Sequence, residues 1–278
     1  MEFEKWHGVG NDFILIADIE DRVDLSPEVV KRLCDRRFGI GADGVIRVAP
    51  GSDGAELFMD YVNSDGSLGE MCGNGIRCLA LFARDQGLTT SDQIKVGTRA
   101  GLRTVWIEGE LVRVDMGAPI FGALEIPVKS DDPLHTTLDT SAGRVEAAVV
   151  GMGNPHAVLF VDDPDDVPVT TLGPEIERLG PFPNGTNVEW VAVESPHRVR
   201  MRVWERGSGQ TLACGTGSCA AAVAARVLHD AEEVVTVSLP GGEVQVEWGG
   251  SLERETPVFL IGAAERTFRG VVDLEDHR

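Results

Sequence analysis

"EMCGNGIRC", from Glu70 to Cys78, and "LACGTGSC", from Leu212 to Cys219, share the phrase Cys-Gly-x-Gly, and Cys72 and Cys214 stand 142 residues apart in a chain of 278. That separation is just over half the chain and points to a duplication. Offsets near 142 recover more of it. "GVGNDFILIAD" (Gly8 to Asp18) resembles "GMGNPHAVLFVD" (Gly151 to Asp162), placing Asn11 over Asn154. "MDYVN" (Met59 to Asn63) aligns with "MRVWE" (Met201 to Glu205), and "GADGVIRV" (Gly41 to Val48) with "GTNVEWV" (Gly185 to Val191), Gly44 over Asn187. The matching segments occur in one order at a nearly constant offset, so the chain reads as two homologous halves.

Each half has the same texture. "FILIAD", "GVIRVA", "LFMDYV", "IKVGT" and "LRTVWIEG" run or alternate apolar between Gly, Asp and Asn turns, which is strand character; "AVLFVD", "NVEWVAV", "RVRMRVW", "VVTVSLP" and "EVQVEW" repeat it. After Cys72 the period changes: Ile76, Leu79, Ala80 and Ala83 recur at helical spacing, with Gly87 as a stop. "SCAAAVAARVLHD" after Cys214 is helical by propensity. Each cysteine therefore sits where a glycine-rich turn enters a helix. A further helix is expected at "SPEVVKRLCDRRFG", with Ser26 as N-cap and Pro27 at the first helical position, and its counterpart at "LGPEIERLG". The Gly- and Pro-rich stretch Gly117 to Pro127 is the expected crossover.

Composition narrows the partners. The net charge of −20 repels nucleic acid and anionic membrane surfaces, so neither is expected as a partner. No run of 18 apolar residues and no signal-peptide pattern occur, so a cytoplasmic protein is expected. Five cysteines in this length do not make a secreted disulfide framework and read as reduced thiols. Cys34, Cys78 and Cys219 read as buried small hydrophobes. The C-x5-C and C-x4-C spacings lie inside helices and not in zinc knuckles, so no metal is expected. A phosphate cradle is the common alternative for Gly-x-Gly before a helix, but neither turn continues into Lys-Ser/Thr or completes a dinucleotide fingerprint. None of the four lysines lies in a motif suggesting a Schiff base.

A helix N-terminus carries outward N–H groups and about half a positive charge, so it holds an anion and lowers the pKa of a cysteine placed there. Two such turns supply two thiols and two sets of donors for one carboxylate. Inverting a carbon α to a carboxylate needs that set: one base to remove the proton, an acid on the other face to return one, and donors for the developing enolate.

"HGVGNDF", "NSDGS" with "MCGNGIRC", "GNPH", "GTNVE", "WERG" and "ACGTGSCAA" resemble, in order and across essentially the whole chain, the signatures of the diaminopimelate epimerase family. The sister proline racemases and hydroxyproline epimerases usually carry His where this chain has Asn74. The resemblance implies an α+β fold of two pseudo-symmetric domains, each a curved mixed sheet or barrel around a central helix. The expected domains are residues 1–117, completed by 263–278, and 118–262, with the active site in the cleft between them. It implies that Cys72 and Cys214 interconvert LL- and meso-diaminopimelate without a cofactor, and that Gly73-Asn74 and Gly215-Thr216 hold the reacting carboxylate. Asn63, Asn154, Asn187, Glu205 and Arg206 would read the distal centre, with Asn11 lining the pocket, while His156 and Glu205 bias the proton between the thiols. A homodimer is implied as well. The chain departs from the family pattern at Gly44, where many members carry Gln.

Overall fold

The computed structural model describes residues 1–273. The chain divides into two compact units, Met1–Val114 together with the segment from Gly262, and Asp115–Ile261.

The first unit contains β1 (Glu2–Gly8), β2 (Asn11–Ala17), α1 (Pro27–Cys34), β3 (Gly44–Pro50), β4 (Leu57–Asn63), α2 (Gly73–Asp85), β5 (Gln93–Thr98), β6 (Gly101–Glu108) and β7 (Leu111–Asp115). Neighbours in this row pair in sequence order, with β2 to β3 and β4 to β5 parallel and the other pairs antiparallel; the strand Glu265–Val271 extends it beyond β1. α1 begins as expected: Ser26 Oγ accepts from Val29 N at 3.4 Å and Pro27 opens the helix. Its buried stripe is Val29, Val30, Leu33 and Cys34.

α2 is the centre of this unit. Every residue from Gly73 to Ala83 is buried, and the helix packs against β1, β2, β3 and β6, so the sheet wraps around it. Truncating a fully enclosed Leu79 to alanine costs about 2–5 kcal/mol on the usual scale of core cavities. The helix ends at Asp85, two residues before Gly87, whose φ of 68° suits glycine.

The second unit repeats the plan with β8 (Thr136–Thr140), β9 (Gly143–Gly151), β10 (Pro155–Phe160), α3 (Val169–Glu177), β11 (Asn187–Ser195), β12 (Arg198–Glu205), β13 (Gly209–Thr211), α4 (Gly215–Leu228), β14 (Val234–Leu239) and β15 (Gly242–Glu247). β10 to β11 and β12 to β14 are parallel, as β2 to β3 and β4 to β5 are. The repeat holds to the residue: Phe13 lies opposite Gly44, and His156 opposite Asn187. Across the next pair, Val45 faces Val62 and Val188 faces Trp204. α4 touches β9, β10, β11, β12, β14 and β15. Its alanines from Ala220 to Ala225 are buried on every side, as a helix enclosed by a curled sheet requires. Both units therefore have the expected architecture of a curved mixed sheet around one helix.

Two details differ from the sequence reading. β1, "EFEKWHG", hides as a strand because it buries Glu4 and Lys5 beside Phe3 and Trp6. α3 starts at Val169, three residues ahead of "LGPEIERLG". No described helix is long and apolar enough to cross a membrane.

Candidate active site

In the first unit Cys72 is the N-cap of α2, with extended backbone (φ −134°, ψ 117°). Its Sγ accepts from Gly75 N at 3.5 Å and donates to Asn11 Oδ1 at 3.6 Å. A Cβ at Gly75 would lie 2.7 Å from Ile46 Cδ1 and 2.9 Å from Met59 Cε, so these side-chain ends would have to shift to admit one. Asn74 is buried, and its Nδ2 donates to Asn11 Oδ1 at 3.3 Å while its Oδ1 accepts from Arg77 Nη2 at 2.9 Å. Arg77, wholly enclosed in α2, also donates to Gly73 O at 3.1 Å. The side chain of Asn74 is thus turned into the protein, and a carboxylate at this turn would meet main chain. Asn11 Nδ2 donates to Asp43 Oδ2 at 2.7 Å. Asn63 stands apart from these contacts, its Nδ2 donating to Ser67 Oγ at 3.0 Å.

In the second unit Cys214 caps α4 with nearly the same backbone (φ −126°, ψ 116°) but without a side-chain bond to the helix. The bond it lacks is one from a helix backbone N–H; its Sγ does share a hydrogen bond with Thr216 Oγ1, in the first turn of α4, at 3.6 Å. Burial pushes this thiol well above the usual range, and the Glu205 and Glu189 carboxylates push it the same way. Burial also raises Glu205, against the hydrogen bonds it takes from Thr211 and Cys214. His156 and Glu189 are fully enclosed, with Nδ1 2.7 Å from Glu189 Oε1 and Nε2 2.8 Å from Asn154 Oδ1. An amide oxygen only accepts, so Nε2 is the donor to Asn154. Burial raises Glu189, and His156 opposes that rise.

Asn187 is engaged by main chain on both sides: Nδ2 donates to Pro155 O at 3.0 Å, and Oδ1 accepts from Arg206 N at 2.9 Å. Arg206 itself is exposed and donates from Nη1 to Asn184 O at 3.2 Å. Cys34, Cys78 and Cys219 are buried, and burial lifts the thiols of Cys34 and Cys78 to about 12.

The structure thus groups Asn11, Cys72 and Asn74 in one unit; in the other it groups Asn154 with His156, Asn187 with Arg206, and Glu205 with Cys214 and Thr216. Sequence reasoning missed Glu189, Asp43 and Arg77. Glu189 left a signal, a single charge inside the apolar run "NVEWVAV". Arg77 and Asp43 left none, since one charge on a helix or in a loop reads as a solvated surface.

The sequence model for diaminopimelate epimerase matches residues 3–122 and 148–266. The chain belongs to the diaminopimelate epimerase family. It is 45% identical over 290 residues to a diaminopimelate epimerase of Desulfitobacterium hafniense, covering 99% of each chain. It is 44% identical over 278 residues to one of Thioalkalivibrio sulfidiphilus, again covering 99% of each. Among solved structures, a probable proline racemase from Agrobacterium radiobacter with bound carbonate superposes with a TM-score of 0.73 at 16% identity, covering 98% of this chain and 93% of that one. At that identity the likeness speaks for the fold. The departure from the family at Gly44 has a local cause: a Cβ would lie 2.6 Å from the ring of Tyr61 and 2.7 Å from Val62 O, so Tyr61 fills the space a longer side chain needs.

Proposed function

We propose that this protein interconverts LL- and meso-2,6-diaminopimelate without a cofactor, with Cys72 and Cys214 as the paired acid and base. The reaction serves lysine and peptidoglycan precursor synthesis in the cytoplasm, and the working form is a homodimer. The observation that carries the reading is one cysteine at the N-terminus of each enclosed helix, in a chain of this family.

The chemistry follows from the two turns. One thiolate takes the α-proton; the electron pair passes into the carboxylate as an enolate, held by the helix N–H groups of Gly73-Asn74 and Gly215-Thr216; the other thiol delivers its proton to the opposite face. The turn ends with the thiol and thiolate exchanged, and His156 and Glu205 bias the proton between them. Cys214 is the natural holder of the resting proton, because burial and two carboxylates oppose its ionisation. Cys72 Sγ accepts from the helix N–H of Gly75. Asn63, Asn154, Asn187, Glu205 and Arg206 bind the distal ammonium and carboxylate, with Asn11 beside them.

Incubation with diaminopimelate, proline, hydroxyproline and glutamate in deuterated water tests the reading. Solvent deuterium is expected at the α-carbon of diaminopimelate, and preference for another member of the panel would overturn the substrate.

A further inference from the structure

Asn11 and Asn154 occupy the same place in the two halves, each the asparagine of a Gly-x-Gly-Asn turn at the start of an inner strand. Their amides are bound oppositely. Asn11 gives its Nδ2 to Asp43 Oδ2 at 2.7 Å, which leaves Oδ1 toward Cys72 Sγ and Asn74 Nδ2. Asn154 instead uses Oδ1, at 2.8 Å from His156 Nε2, which leaves Nδ2 as the pole without a partner among the described residues. A carboxylate only accepts, so Asp43 cannot meet the oxygen of Asn11. Arg36 holds Asp43 in place through Nη2 at 2.8 Å, and Asp12 N donates to the same Asp43 Oδ2 at 3.2 Å. In the other half His156 Nδ1 meets Glu189 Oε1 at 2.7 Å, and the ring donates from Nε2 to Asn154 Oδ1.

We propose that Asp43 and Glu189 are positioning residues, which fix the repeat-related amides of Asn11 and Asn154 with opposite poles outward. The first half then presents an oxygen, suited to an ammonium or a thiol proton; the second presents an N–H pair, suited to a carboxylate. A duplicated fold thereby acquires the polarity needed for a substrate that carries both groups. Neither residue touches the substrate: Asp43 acts through Asn11, and Glu189 acts through His156. The match to substrate rests on the epimerase reading, whereas the opposite amide orientations stand on the hydrogen bonds alone.

The first test uses the ligand-free wild-type protein. Side-chain amide exchange is followed by NMR, with the two NH2 groups assigned from the spectra of Asn11→Asp and Asn154→Asp. The NH2 of Asn11, donated into Asp43, is expected to exchange at least about tenfold more slowly than that of Asn154. Equal rates, or a slower Asn154, would overturn the proposal. The second test is kinetic. Asp43→Asn and Asn11→Asp are each expected to raise KM about tenfold, the scale of one charge-assisted hydrogen bond, with a smaller change in kcat. The double variant restores one donor facing one carboxylate and keeps an oxygen outward, so its KM is expected to fall below that of either single variant. Multiplying effects in the double variant would contradict the lock, and a variant that does not fold leaves the exchange measurement to decide. Absent turnover of diaminopimelate by the wild type would break the epimerase reading and leave the amide result untouched.

Discussion

The two cysteine turns share a backbone and differ in what lies beneath them. Both cysteines cap a buried helix with extended φ and ψ, and both helices start with Gly-x-Gly. Under the Cys72 turn the packing residues are Phe13 and Ile46, both fully buried and apolar. At the repeat-equivalent positions under the Cys214 turn stand His156 and Glu189. The helix glycines report the same difference. A Cβ at Gly75 would strike Ile46, while one at Gly217 would lie 2.6 Å from Glu189 Oε1 and 3.3 Å from Cys214 Sγ. The duplication conserves the turn, and what differs is the pair beneath it, Phe13 with Ile46 in one copy and His156 with Glu189 in the other.

The largest effects come from the thiols themselves. Cys72→Ala and Cys214→Ala are each expected to lower the epimerisation rate at least about a thousandfold, because each removes the only proton carrier on its face. Near-normal turnover in either would break the symmetry of roles. Next comes the buried pair. Replacing His156 by Phe and Glu189 by Ile copies the first unit into the second. Well-packed apolar pairs commonly match or exceed buried ion pairs in stability, so the melting temperature is expected to hold or rise. Turnover is expected to fall about a hundredfold, since the charge under Cys214 is gone. A stable, fully active double variant would show that the pair is only structural. By contrast Glu189→Ala leaves His156 enclosed without its carboxylate and is expected to cost about 3–5 kcal/mol in denaturant unfolding.

Smaller effects separate the halves further. Gly217→Ala is expected to destabilise by about 1–3 kcal/mol, because the methyl group must displace Glu189 or Cys214, which is visible as a lower midpoint in urea. The smallest effect is a pH dependence in the first unit. Burial works to raise Asp12, but hydrogen bonds from Arg36 and Lys5 and their charges outweigh it and hold the group at about 2, below its ordinary 3.8. The unfolded chain then binds more protons than the folded one in that interval. The stabilisation is therefore complete above pH 3.8 and is lost as pH falls through about 2. Asp12→Asn is expected to flatten this acid limb in melts recorded at stepped pH; an unchanged limb would assign it to other carboxylates.

Much of this was legible in the sequence because duplication supplies its own control. Several segments had a second copy at a nearly constant offset, and a turn such as "CGTG" is easier to trust beside "CGNG". Local rules also worked where they are strong, at the Ser26 cap and at Gly87. What stayed hidden were charges whose burial depends on partners far along the chain. Arg77 donates to Ala263 O, Glu189 meets a histidine 33 residues away, and Lys5 donates to Gly41 O. A periodicity argument counts such residues as exposed, since only the folded sheet brings their partners near. Gly44 illustrates the converse: its meaning lies in Tyr61, on the neighbouring strand.

The central claim is that two different thiols handle the two faces of one carbon. It is tested most directly by the hydrogen found in the first product. LL-diaminopimelate is converted in deuterated water, and the meso product is collected while conversion is still small and examined by mass spectrometry and NMR. With Cys72 on one face and Cys214 on the other, the inverted carbon is predicted to carry solvent deuterium from the first turnover. Meso product that retains the substrate's own α-hydrogen would mean one group removes and returns the proton, and would contradict the account.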